Sequence, residues 1–158
     1  MIHEDIAAFA AALPPVGALM GLDLGTRTIG VAVSDGLRSV ATPLSTVRRT
    51  KFTADAVALE SLIAGRSVTG VLLGLPLNMD GSEGPRIQST RAFARNLARR
   101  IELPIGYWDE RLSTVAAERA LLEADTSRRR RAEVIDHVAA GYILQGALDR
   151  MAYAARSA

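Results

Sequence analysis

A chain of 158 residues, 49% hydrophobic and 23% charged, has the size and balance of one globular domain rather than of a disordered segment. It has no cysteine and only two histidines, His3 and His137, which excludes disulfides, thiolate metal sites and Cys nucleophiles and argues against a His-rich zinc site. The net charge is +2 on 19 basic residues, of which only Lys51 is a lysine; arginine forks suit phosphate, although a GC-rich coding bias accounts for much of that excess. Any bound metal needs mainly oxygen ligands, which points to Mg²⁺ or Mn²⁺. No apolar run reaches the roughly 18–20 residues of a membrane span. Glu4 and Asp5 stand where a signal peptide would be basic, so the expected location is cytoplasmic.

Residues 1–13 are Ala-rich and stop at Pro14-Pro15, which reads as a short helical extension outside the main domain. Residues 18–24 (ALMGLDL) and 28–34 (TIGVAVS) read as strands joined by a link short enough for a hairpin. Residues 40–48 suggest a third strand, and Pro43 favours an edge position for it. Residues 53–65 form a helix capped by Thr53, with Val57, Leu59, Leu62 and Ile63 inward and Gly65 at its end. Residues 68–75 (VTGVLLGL) are nearly all apolar, the mark of a strand covered on both faces. A Gly/Pro/Asn/Asp loop follows over 76–85. The helix over 86–100 turns Ala94 and Leu97 inward and Arg91, Arg95 and Arg99 to an outer stripe. A short strand over 105–108 runs into Asp109-Glu110-Arg111, and Ser113 or Thr114 opens a helix through Ala124. After the basic run Arg128, Arg129, Arg130 and Arg131, a last helix spans about 132–153. Hairpins first and helical crossovers later give an α/β fold with a mixed sheet and helices on both faces.

Three groups of acids carry the chemistry. Asp23 sits in an apolar strand, where an unpaired carboxylate costs several kcal/mol, so an Arg or a metal should answer it. Asp109 and Glu110 end another strand. Neighbouring strand residues face opposite ways, so only one of them should join Asp23. The other binds Arg111 or caps the next helix. Asp136 lies among small residues of the last helix and can lean over strand ends; an ordinary acid paired with Arg is the alternative. His137 beside it reads as a satisfied imidazole rather than a ligand. Carboxylates on strand ends and a facing helix are what two ions about 3.5–4 Å apart need in phosphodiester hydrolysis. Ser and Thr lack a histidine base here, so covalent hydrolysis is weakly supported.

Four segments, GLDLGTRTIGVAVSD (21–35), GLPLNMDGSEG (74–84), DERLSTVAAE (109–118) and VIDHVAAGYILQGAL (134–148), resemble in content and order the YqgF/RuvX family. The resemblance implies a ribonuclease H-like domain over 18–153, a five-stranded mixed sheet with its first three strands antiparallel, an extension over 1–17 and a tail over 154–158. It implies a nuclease of structured precursor rRNA, trimming the 5′ end of pre-16S rRNA in ribosome biogenesis, or a Holliday junction resolvase acting on branched DNA. It implies a site of Asp23, Asp109 or Glu110, and Asp136, holding Mg²⁺ or Mn²⁺ in a two-metal mechanism. Arg27, Asn78, Arg111 and Arg128–Arg131 would meet nucleic acid, with ribosomal precursor particles as a further partner of a monomer or homodimer. A non-catalytic RNA-binding module is the rival reading. A sugar kinase or actin-like ATPase shares the first hairpin but needs a second domain and a second Gly-rich loop, which this chain lacks.

Overall fold

Alternation along the strands divides the core in two, and that division positions the site. The computed structural model describes residues 1–78, 80–112 and 128–157, of which 128–136 and 157 are described as helix backbone alone. The elements are β1 (Ile2–His3), α1 (Ile6–Ala12), β2 (Ala18–Leu24), β3 (Thr28–Ser34), β4 (Ala41–Arg48), α2 (Phe52–Arg66), β5 (Val68–Leu75), α3 (Pro85–Ala98), β6 (Ile105–Asp109), a 3-10 turn (Glu110–Leu112) and α4 (Arg128–Ser157). The helix expected to open at Ser113 or Thr114 falls outside the described residues.

The strands form one sheet in the order β1-β6-β5-β2-β3-β4. The hairpin neighbours β2/β3 and β3/β4 are antiparallel, whereas β2/β5 and β5/β6 are parallel, as helical crossovers require. Pro43 sits on edge strand β4, next to the point where the register with β3 shifts. Met20, Leu22, Leu73 and Tyr107 point to one face, packed with Leu59 of α2 and Leu97 of α3. Leu19, Leu72 and Trp108 point to the other, packed with Phe9 of α1 and Ala140 and Leu144 of α4. Among the described residues no helix is long and apolar enough to cross a membrane.

The sheet has six strands, not five, because the first residues join it. Ile2 and His3 pair in parallel with Ile105 and Gly106 of β6. Phe9 is fully buried on the sheet. A Cβ on Gly106 would lie 2.6 Å from the Phe9 ring, and one on Gly70 would lie 3.1 Å from it. Arg38, in the left-handed region at φ 61, donates from its guanidinium to the carbonyls of Gly17 and Pro14. The expected detached extension is therefore packed against the core.

Other boundaries move for local reasons. α2 begins at Phe52 with no side-chain cap, and Asp55 accepts instead from the Thr50 N–H at 3.0 Å. It ends at Ser67 in the left-handed conformation, not at Gly65. Val57 is half exposed, although Leu59 is buried. α4 is longer than expected at both ends. Arg91 is not on an outer stripe: it pairs with Glu4 and Glu83 and stacks on Tyr107, while Arg95 and Arg99 stay exposed.

Candidate active site

Asp23 is the penultimate residue of β2 and is 7% exposed. Its neighbours Leu22 and Leu24 belong to the core under α2 and α3, so alternation turns Asp23 to the α4 face. Across the sheet Asp23 pairs with Gly30, and Gly30 pairs with Thr46. On its other side the parallel register pairs Leu22 with Leu73, so Asp23 stands level with Gly74 one step further on. Gly74 in turn pairs with Trp108 of β6. A row thus runs Trp108, Gly74, Asp23, Gly30, Thr46, with the acid between two residues that have no side chain.

The two acids after Trp108 part company. Trp108 faces α4, so Asp109 faces away from it. The Asp109 carboxylate accepts from the Arg111 guanidinium at 2.7 Å and from the Arg111 backbone N–H at 2.9 Å. The Arg111 hydrogen bond holds the Asp109 carboxyl below its ordinary range, against a smaller opposing effect of burial. Glu110 begins the 3-10 turn and comes back over the α4 face. Its carboxyl carbon is 3.3 Å from where a Cβ on Gly74 would stand, with Ile143 of α4 closer still at 2.6 Å. Ile143 and the Glu110 carboxyl therefore share the space above Gly74, the residue level with Asp23 on the neighbouring strand.

α4 crosses the far end of the same row. The Nδ1 of His137 is 3.0 Å from the Thr46 hydroxyl, so the imidazole is satisfied there, as expected. Asp136 precedes it in α4, and its side chain lies outside the described part, as do those of Arg128, Arg129, Arg130 and Arg131. Among the described residues no group of three acids or histidines is placed around one point. The described part supplies two carboxylates, hard oxygen donors of the kind Mg²⁺ or Mn²⁺ takes. The glycine flanking Asp23 gives Glu110 room to approach, so these residues fit such an ion.

The loop after β5 lies beside this site. Asn78 donates from its side chain to the Ser82 hydroxyl and from its backbone at the other end of the same turn to the Ser82 carbonyl. Ser82 donates to Asp80, chiefly through its hydroxyl, and the Asp80 carboxyl is lowered by it. Gly81, at φ 87, comes so close to Arg111 that a Cβ there would lie 3.2 Å from the guanidinium. Arg111 thus joins the loop to Asp109. Arg27 is exposed at the β2–β3 turn. Gly74 is not among the residues the sequence singles out, although a glycine inside an otherwise apolar strand is its signal.

The RuvX family, described as Holliday junction resolvase, matches residues 17–150. The chain belongs to the RuvX family. Curated RuvX-like relatives named as candidate pre-16S rRNA nucleases are similar over nearly their full length. One from Cereibacter sphaeroides is 74% identical over 99% of this chain and 98% of its own. One from Paracoccus denitrificans is 71% identical over 99% of both. Among solved structures, Thermus thermophilus RuvC in complex with a Holliday junction substrate matches 85% of this RuvX chain and 96% of its own, at TM-score 0.54 and 13% identity. At that identity the likeness is one of fold.

Proposed function

We propose that this RuvX-family chain is a metal-dependent nuclease that cleaves phosphodiester bonds in structured RNA, with the 5′ region of precursor 16S rRNA as its first substrate and the cytoplasm as its place. The observation that supports this most is the buried Asp23 carboxylate level with Gly74, with the Glu110 carboxyl close to that same glycine. The substrate reading rests on the names of relatives at 71–74% identity. Asp23, Glu110 and Asp136 would hold Mg²⁺ or Mn²⁺. When bound, a pair of such ions supplies an activated water and a shield for the charge developing on phosphorus and the leaving oxygen. Asp23 gives the set rigidity, because a central strand fixes its backbone. Asp109 takes a supporting role: it neutralises Arg111 and ties the 3-10 turn to the 76–84 loop. Arg27, Asn78 and Arg128–Arg131 would supply contacts to the substrate's phosphates.

The test is cleavage of a 5′-extended precursor 16S rRNA fragment and of a four-way DNA junction, each with Mg²⁺, Mn²⁺ or EDTA. Asp23→Asn and Glu110→Gln should each lower the rate at least ~100-fold, about 2.7 kcal/mol of transition-state stabilisation, and leave RNA binding in place. Undiminished cleavage by Asp23→Asn, or full activity in EDTA, would overturn the reading. Cleavage of the junction alone would move the substrate to branched DNA, which the family description favours.

A further inference from the structure

On the other side of the turn that follows Asp23 there is a notch with a volume of about 190 Å³, lined by Gly25, Thr26, Arg49, Arg86 and Ser89 among others. Its two arginines are held in an unusual way. The Arg49 guanidinium donates through Nη1 to the Gly25 carbonyl at 2.6 Å and stacks over the Phe93 ring at 5.6 Å. The Arg49 backbone N–H also donates to the Arg27 carbonyl at 2.8 Å. Arg86 donates to the Leu24 carbonyl at 3.3 Å. Both side chains are thus pinned to consecutive carbonyls of the turn itself.

Among the described residues neither meets a carboxylate. Arg91, Arg100 and Arg111 each have an acid within ion-pair distance, whereas Arg49 and Arg86 have none among the described residues. Among the described residues no acid lines the notch. A guanidinium has five N–H donors in a planar fork, and each of these arginines commits one nitrogen to a carbonyl. The rest remain for an acceptor outside the chain, with the Thr26 and Ser89 hydroxyls beside them. Two charged forks plus hydroxyls suit the non-bridging oxygens of a phosphate.

We propose that this notch is a phosphate subsite for the sugar–phosphate backbone of the nucleic acid, with Arg49 and Arg86 as its donors. The proposal rests on the nuclease reading above and deepens it. Because both arginines are anchored one and two residues after Asp23, a phosphate seated there is held at a constant offset from the acid site. The subsite positions the strand; it reads no base.

The test is anisotropy of a fluorescein-labelled RNA hairpin with a single-stranded 5′ tail, measured in EDTA from about 50 to 200 mM salt, where phosphate contacts appear as the slope of log K against log salt. The double variant Arg49→Gln/Arg86→Gln should weaken binding at least ~10-fold and make the slope shallower by about one per arginine removed. Arg95→Gln/Arg99→Gln removes the same charge from exposed positions in the last turn and at the C-cap of α3 and should leave the slope nearly unchanged. Arg86→Gln alone, which gives up one long hydrogen bond, decides the matter if the double variant melts early. Wild-type affinity and slope in Arg86→Gln, or equal losses in both double variants, overturns the subsite while leaving the nuclease reading intact. Failure of the wild-type protein to bind RNA overturns both.

Discussion

Asp109 and Glu110 are adjacent and chemically alike, yet one residue of strand alternation separates their fates. Asp109 faces away from α4 and is taken by Arg111; Glu110 turns back beside Gly74. This division has a pH consequence. The folded Asp109 carboxyl is lowered by its Arg111 hydrogen bond, so the ion pair adds stability above the unfolded value of 3.8 and loses it as pH falls through the lower folded value. Asp109→Asn should therefore be less stable than wild type at neutral pH. The two urea midpoints should converge as the pH is taken below about 4. A gap that stays constant from neutral to acid pH would show that the pair contributes nothing through its charge. From the sequence, one of the two acids joins Asp23 and the other binds Arg111 or caps the next helix; choosing between them needs the register of β6 against β5.

At the scale of elements, glycines decide how closely α4 approaches the sheet. A Cβ on Gly21 would stand 2.8 Å from the Leu144 Cβ and 3.1 Å from the Ala140 carbonyl, which belongs to helix backbone and cannot step aside. A Cβ on Gly74 would meet the flexible end of Ile143 and the Glu110 carboxyl. Gly21→Ala should cost about 1–3 kcal/mol through overpacking, read as a lower Tm. Gly74→Ala should cost less stability, because Ile143 can turn, yet slow RNA cleavage about 10-fold or more by displacing Glu110. Melting curves and single-turnover rates on the same two variants check the split. A Gly74→Ala protein with wild-type cleavage would mean that Glu110 has no part in the reaction. Trp108 packs its indole against Gly146 on this interface, and its Nε1 is buried without a hydrogen-bond partner among the described residues.

Across the whole molecule, the first 17 residues complete the sheet edge and bury Phe9 between α4 and the strands. Phe9→Ala empties a fully buried site and should lower stability by about 3–5 kcal/mol in urea denaturation, with cleavage per folded molecule little changed. A loss under about 1 kcal/mol would mean that this segment is detached in solution. The amino-acid sequence by itself determined the order of strands and helices from β2 to β6, since period-two and near-continuous apolar runs leave few ways to be buried. It also determined that Asp23 is special, because a carboxylate inside ALMGLDL must be answered by something. Only the tertiary structure decided that Glu110 and not Asp109 packs near Gly74, that two arginines after β4 and at the head of α3 share one notch, and that an Ala-rich opening segment is core. Each of those outcomes depends on residues far apart in the chain meeting across the sheet. Glycines at the contact points admit them, and a missing side chain shows its purpose only when its neighbour is in place.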